Sequence, residues 1–547
     1  MAITAATALA VAGCSSAGNS DVENLEVSPD GAYNPQDRDK LEKGGTLTLA
    51  IDEVSPQQNY FQADRTAYTN TIWRFYNPQV LLMNGTGEIS PNPAYITEIK
   101  DEVKDGKTVV TYTINDKAKF NDGTPIDWST FEHTWKYNNG SNKDLKPAGT
   151  DGYELIESVT RGDSDKQAVV TYEQEYPWWQ DTFIYLLPNQ VNTPELFNEG
   201  YINNLRPEWG AGPYKVDTAD FKGGTVSFVP NEKWWGNEPL LDKVTFRQME
   251  DQASINAFRA GEIDATGVAS KERLASIDGM EDIEIRTSLR PFNALMTLNS
   301  EAPNLGEPEV REAIMRGVDR EQLAAIRYNG LGYSEDLPGS FIMFQNQDGY
   351  EDVFSKVIQF DPEKSKELLD SAGWSEGADG IREKDGEKLT FRYILIGNDE
   401  YSKATAGALQ KMLRGIGVDL KIEERPSTDF SKITSKRDFD IFLMGFTSTS
   451  PSGPAGFAQI YRSDSELNLS GTGNDELDKK IAELAKLPTQ EEQIKRSNEL
   501  EEEAFQEFGI LPFANGPVMQ ATKPKLANFG AQFFAIIPVE DIGWMKE

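Results

Sequence analysis

A chain of 547 residues is too long to close around a single hydrophobic core, so two or more lobes are expected. Its hydrophobic fraction of 38% and charged fraction of 26% are those of a globular protein, not of a disordered one. No internal run of about 18 apolar residues is present, so no internal membrane-spanning helix is expected.

Lys and Arg number 54 against 89 Asp and Glu, a formal charge of -35. Such a surface repels phosphate backbones, which argues against nucleic acid as a partner. Its plainest use is to keep an exposed protein soluble. The only cysteine is Cys14 and the only histidine is His133. An internal disulfide is impossible, and a Cys- or His-rich metal site lacks its ligands. P-loop, G-x-G-x-x-G, G-x-S-x-G and H-E-x-x-H spacings are absent, so neither catalytic residues nor a cofactor are expected. A glycosidase-like carboxylate pair on an acidic surface enzyme stays open by counting alone, and turnover would reveal it.

The N-terminus reads as an address. Ala2–Gly13 is a small-residue apolar run of signal-peptide length, although Met1–Gly13 holds no Lys or Arg. Val11-Ala12-Gly13-Cys14 resembles a bacterial lipobox, which implies a signal peptide over 1–14 and acylation of the Cys14 thiol. Two acyl chains anchor stably where one is marginal. Residues 15–43 are polar, rich in Ser, Asn, Asp and Gly, and without periodicity. They are expected to be a flexible tether. The location implied is the outer side of a bacterial cytoplasmic membrane.

Beyond Gly44-Gly45 the elements can be read from local signals. Thr46–Ile51 alternates polar and apolar residues, as a half-buried strand does. Asp105-Gly106 predicts a hairpin turn into a strand at Thr108–Ile114. Lys166–Tyr172 and Thr225–Val229 are further strands. Asp127 caps a predicted helix over Trp128–Tyr137 with Trp128, Phe131 and Trp135 on one face, leaving His133 as a surface residue. Asp361-Pro362 and Gly373 bracket a helix. Leu389–Ile396, a helix over Tyr401–Arg414, and Val418–Glu424 then alternate as in an α/β lobe. Phe439–Gly445 reads as a fully buried strand and Pro451–Gly456 as a loop. Asn474–Leu487 and Gln490–Phe508 read as amphipathic helices.

Several segments, in order, resemble one family. They are Gly44-Gly45-Thr46-Leu47, then Phe120-Asn121-Asp122-Gly123-Thr124-Pro125, then Gly210-Ala211-Gly212-Pro213-Tyr214. Asn231-Glu232-Lys233-Trp234-Trp235-Gly236 and Phe258-Arg259-Ala260-Gly261-Glu262 follow, then Val310-Arg311-Glu312-Ala313 with Asp319-Arg320-Glu321, and Asp361–Gly373. Together they are similar to the family 5 solute-binding proteins of ABC importers, the dipeptide- and oligopeptide-binding lipoproteins. The resemblance implies an α/β, two-lobed periplasmic-binding-protein-like fold of type II, with an extra subdomain in lobe I. Lobe I would take residues 44–83, 206–290 and 513–547, the subdomain 84–205, and lobe II 291–512. It implies a monomer that captures a peptide between its lobes and delivers it to the transmembrane subunits of an ABC permease. The same fold binding a glycan, a glycolipid-like molecule or an opine is the alternative, as is an envelope regulator without transport.

In that family a peptide lies extended in the cleft, paired through its main chain. Two stretches are implied as ligand contacts. One is Gly445-Phe446-Thr447-Ser448-Thr449, similar to a G-W-x-x-D segment whose Asp pairs with the ligand's α-amino group. Phe446 stands for the Trp, and Thr449 stands where the Asp would be. The other is the loop after the first strand, with Asn59, Tyr60 and Phe61, from which Asp52 or Glu53 could also reach the cleft. An ordinary polar loop and a turn with core aromatics are the respective alternatives. Trp234-Trp235 is expected to pack, not to stack on a ligand.

Overall fold

The computed structural model describes residues 25–448 and 451–547. The strand Thr46–Ile51 shows the expected alternation, with Leu47, Leu49 and Ile51 buried. It is central in a seven-stranded sheet whose order is Glu284–Leu289, Pro517–Thr522, Ala265–Gly267, Thr46–Ile51, Lys243–Gln248, Thr225–Pro230 and Tyr214–Asp220. Thr46–Ile51 runs parallel to Lys243–Gln248, so the chain must leave and return. The excursion contains the whole extra subdomain. The helix Ala67–Tyr76 packs on this sheet, with Phe75 stacked on Phe228 at 5.5 Å between ring centroids.

The subdomain is built on a four-stranded antiparallel sheet, ordered Ile96–Lys104, Lys107–Ile114, Gln167–Tyr172 and Ile156–Arg161. Its first hairpin turns at Asp105 and Gly106, both at positive φ (54° and 75°), as a tight two-residue turn requires. Asp127 caps the helix Trp128–Asn138 by accepting from the Ser129 amide. Phe131 from that helix is fully buried against Tyr112, while Trp128 and Trp135 are only partly covered. His133 departs from its expected surface place. It is half-buried with its ring 4.3 Å from Tyr137, and burial pushes its pKa down to about 4, so it is neutral at physiological pH.

Lobe II carries a five-stranded sheet in the order Asp419–Arg425, Thr390–Ile396, Ile441–Thr447, Phe292–Leu298 and Ile510–Ala514. Thr390–Ile396 and Asp419–Arg425 are parallel and joined by the helix Glu400–Gly415, capped by Asp399. The helix Pro362–Ser371 has Asp361 as its cap and Gly373 beyond its end at φ 87°. The helices Asp475–Leu484 and Gln490–Phe505 end earlier than expected; Phe508, at φ 53°, lies outside the right-handed region. The loop expected at Pro451–Gly456 contains a short 3-10 turn, Gly453–Gly456.

The chain passes between the two large sheets twice. It does so at Arg290-Pro291, between Glu284–Leu289 and Phe292–Leu298, and at Asn515-Gly516, between Ile510–Ala514 and Pro517–Thr522. The second crossing lies beyond Pro512, because the strand that begins at Ile510 keeps its lobe II pairing through Ala514. Asn515 ties the crossings together, donating to the Phe292 carbonyl and to the Asn293 amide oxygen, both at 2.8 Å.

Residues 25–43 differ from the tether expected of them. Leu25 donates its amide to Gly332 in lobe II, Ser28 bonds to Thr287 and Leu289, Ala32 to Ala531, and Glu42 to Trp544. The segment is fixed by main-chain bonds and by Asn34 and Arg38, whose side chains donate to the Leu526, Glu540 and Glu238 carbonyls; none of these imposes a local periodicity, which is why its polar sequence reads as free chain. Cys14 lies outside the described residues. Among the described residues, no helix is long and apolar enough to cross a membrane.

Candidate functional site

The two lobes face each other across the hinge strands and touch directly at several points. Ser431 of lobe II donates its hydroxyl to Glu53 of lobe I at 2.6 Å. Ser427 donates both its amide (2.9 Å) and its hydroxyl (2.7 Å) to the Glu250 carboxylate. Tyr68 and Phe430 meet edge to face at 6.5 Å. The subdomain also reaches lobe II: the Trp178 indole donates to Gln493 at 2.8 Å, and Gln459 donates to the Ala148 carbonyl at 3.0 Å.

Glu53 is almost fully buried, and burial raises its pKa while the hydroxyls of Ser431 and Ser55 act the other way. Asp52 beside it accepts the Tyr68 hydroxyl at 2.8 Å. Glu53 thus lies at the contact between the lobes through Ser431, and Asp52 lies beside it through Tyr68, which packs on Phe430.

Of the three loop residues expected to touch a ligand, two do not face it. The Asn59 side chain is fully buried and spent locally. Its oxygen accepts the Phe61 amide at 3.0 Å and its nitrogen donates to the Phe197 carbonyl at 2.8 Å. Phe61 is buried in the subdomain core, edge-on to Trp73 at 6.2 Å. Tyr60 is half-buried, with its ring 4.5 Å from Tyr185 and the Arg65 guanidinium 4.8 Å above it. The turn chemistry of Asn59 explains the loop better than ligand contact does.

The second stretch begins inside the strand Ile441–Thr447, which starts later than expected and buries only Ile441 and Phe442. Its far half rises towards the cleft and is partly open, so it is not the fully buried strand the apolar run suggests. Gly445 is glycine for a steric reason: a Cβ there would meet Cζ of Phe292 at 1.9 Å. Phe446 packs edge-on to Phe341 at 5.3 Å and lines a small cavity in lobe II with Leu295 and Tyr461. Thr447 is exposed and opposite Phe292 in register, and the Ser448 amide donates to the Pro291 carbonyl at 2.7 Å. Thr449 lies outside the described residues. Trp234 and Trp235 pack on Tyr95, each at 5.5 Å, and donate their indole N–H groups to the carbonyls of Asn237 and Ala94.

Several cleft groups escaped the sequence reading: Glu250, Ser427, Ser431, Tyr68, Arg290, Phe292 and Arg327. The Arg290 guanidinium lies 3.7 Å over the Phe292 ring, and that of Arg327 lies 5.4 Å from the same ring. Only the position of Arg290 at the expected lobe boundary, before Pro291, hinted at a place between the lobes. Among the described residues no cluster of three or more His, Cys, Asp or Glu side chains is placed to hold a metal ion.

A family model described as bacterial extracellular solute-binding proteins, family 5 (middle), matches residues 90–468. The chain is 32% identical to the oligopeptide-binding protein OppA of Mycobacterium tuberculosis (strain H37Rv), over 98% of this chain and 92% of that one. The structure of the oligopeptide-binding protein AppA from Bacillus subtilis in complex with a nonapeptide superposes with a TM-score of 0.76. The match has 19% identity and covers 93% of this chain and all of that one. A periplasmic EDTA-binding protein, EppA, superposes with a TM-score of 0.77 at 21% identity, covering 96% of this chain and all of that one.

Proposed function

The chain belongs to family 5 of the bacterial extracellular solute-binding proteins, the substrate-binding components of ABC importers and not enzymes, and from that membership we propose that it captures peptides. A peptide would be held between the lobes and handed to the transmembrane subunits of a permease. The observation that carries this reading is the 32% identity to an oligopeptide-binding protein across 98% of the chain. The cleft supports it. The strand Ile441–Thr447 pairs with Thr390–Ile396 only at Ile441 and Phe442, so the edge of its far half lies beside partly buried aromatics, which suits an extended peptide bound mainly through its backbone. Closure follows from the same design, because a solute that touches both lobes does so only when they are shut.

We further propose that Cys14 carries the lipid anchor that keeps the protein at the outer face of the membrane, and that it works as a monomer. A second reading, the same fold closing on a non-peptide solute, is favoured by Thr449. A threonine cannot neutralise an ammonium group as the carboxylate implied at that position would. The fold alone does not choose between them, since its neighbours include one complexed with a nonapeptide and one named for EDTA.

Native mass spectrometry of the protein as purified tests the reading. Co-purified species with peptide masses, displaced by added peptides, are the expected result. A single non-peptide mass that peptides fail to displace would overturn it.

A further inference from the structure

The N-terminal segment fastens to both sides of the hinge. On the lobe I side the Ser28 amide donates to the Thr287 carbonyl at 3.1 Å, and the Leu289 amide donates to the Ser28 carbonyl at 3.0 Å, so Ser28 pairs with Ser288 in parallel. Glu284–Leu289 is the edge strand of the seven-stranded sheet and leads directly into the crossing at Arg290-Pro291. On the lobe II side the Leu25 amide donates to the Gly332 carbonyl at 2.9 Å. The partly buried Leu25 side chain packs on the apolar cluster to which Tyr328 and Leu331 belong.

The path of the segment is built into its surroundings. A Cβ at Gly85 would lie 1.6 Å from the Asp30 carbonyl oxygen, and one at Gly530, held at φ 146°, would lie 2.6 Å from that of Ala32. Two glycines therefore let the main chain of the segment lie flush against its neighbours. The receiving loop of lobe II has a second duty. Three residues beyond Gly332, Glu335 accepts the Tyr333 hydroxyl at 2.7 Å and the amides of Asn515 (2.6 Å) and Gly516 (3.1 Å), which form the second crossing. One loop thus holds the second crossing and seats the segment that spans the first. Only Glu26 and Val27 separate the attachments at Leu25 and Ser28, and an extended residue spans at most about 3.6 Å, so the link has little slack. Turning lobe II away from the sheet must strain it or pull Leu25 from Gly332.

We propose that Leu25–Ser28 is a brace across the hinge, which stabilises the arrangement with the lobes in contact and lets go of lobe II when they part. The proposal rests on the reading that the lobes close on a solute, and adds a control on that closure made by residues that take no part in the cleft contacts. Such coupling is reciprocal: freeing Leu25 favours parting of the lobes, and parting the lobes frees Leu25.

Two measurements on the full chain test it. Neither uses a solute, so their failure leaves the peptide reading standing, and the loss of that reading leaves them intact. The first is amide hydrogen exchange of the wild type, resolved by residue. A single opening should expose the Leu25 amide, bonded to lobe II, and the Ser427 amide, bonded across the cleft to Glu250, with protection equal to within about threefold. The Ala32 and Glu42 amides, bonded within lobe I, should be protected about tenfold more strongly or better. The second is scattering. Leu25→Asp sets a charge in the apolar seat and should enlarge the radius of gyration, whereas Leu25→Met, which keeps the seat apolar, should match the wild type. A Leu25 amide that exchanges independently of Ser427, or a radius that Leu25→Asp leaves unchanged, overturns the brace. The exchange measurement needs no substitution, so it decides the matter even if Leu25→Asp fails to fold.

Discussion

Ser431 and Glu53 are 378 residues apart in the chain, and their side chains meet across the cleft at 2.6 Å, one on each lobe. A hydrogen bond to a charged or nearly charged group contributes about 1.5 to 3 kcal/mol net, enough to bias a two-state opening. Ser427 and Glu250 make a second such tie close by. Ser431→Ala leaves Glu53 buried with one donor fewer whenever the lobes shut. The expected outcome is a larger radius of gyration without ligand and an affinity about tenfold weaker, since about 1.4 kcal/mol is a factor of ten. Scattering profiles and binding curves that match the wild type would show that the bond does not control closure.

Two buried glutamates make stability depend on pH. Glu501 is fully buried in lobe II, and burial raises its pKa from 4.5 to about 7, even though Ser340, Phe341 and Tyr461 donate to it. Glu540 is also raised to about 7, chiefly by burial. The folded chain therefore holds protons that the unfolded chain has released. The stabilising contribution is complete below pH 4.5 and is lost as the pH rises through about 7. Thermal melts should show Tm higher at pH 5.5 than at pH 8, by on the order of a few °C. A flat or opposite trend would mean that these carboxyls titrate normally.

The anchor is tested in cells. Cys14→Ser removes the thiol that an acyl group would occupy, and the protein is then expected in the soluble or secreted fraction. Membrane retention equal to that of the unchanged chain would remove Cys14 from the account.

Thr449 bears on the amino end of a peptide. Without a carboxylate there, binding should depend little on a free α-amino group, so N-acetylated peptides are expected to bind about as well as free ones. A loss of around a hundredfold on acetylation, about 2.7 kcal/mol, would reveal an ammonium site. Asp52 and Glu53 are the lobe I carboxylates to substitute next in that event.

Much of the fold is legible because its signals are local. The alternation of Thr46–Ile51, the Asp127 and Asp361 caps and the Asp105-Gly106 turn each act within a few residues of themselves. The cleft is not local. Ser431 meets Glu53, and Phe292 fills the space beside Gly445, only because two lobes and two hinge crossings bring them together. Asn59 misled for the converse reason: a short polar amide beside aromatics resembles a ligand contact, yet its oxygen serves its own turn. The segment 25–43 misled because main-chain bonds and side-chain bonds to residues far along the chain hold it, and those leave no local periodicity.

Gly445 gives the sharpest steric test. In the family resemblance it is one residue of a ligand-contacting segment, but its structural duty is to leave space for Phe292. Any Cβ would lie 1.9 Å from Cζ and 2.0 Å from Cε2 of that ring, far inside contact distance, so Gly445→Ala must displace the ring or the strand. Overpacking of this kind costs about 1 to 3 kcal/mol. Displacing the ring also takes away the surface on which Arg290 lies at 3.7 Å. Phe292→Leu removes the clashing ring atoms and should relieve the Gly445→Ala penalty in the double variant, giving a coupling free energy of about 1 kcal/mol or more in a denaturation cycle. Stability should return in that double variant, but solute binding should not, because leucine offers Arg290 no aromatic face. Additive effects in the cycle would mean that Gly445 and Phe292 do not constrain one another. Binding that recovers together with stability would mean that the ring is a spacer and not the seat of Arg290.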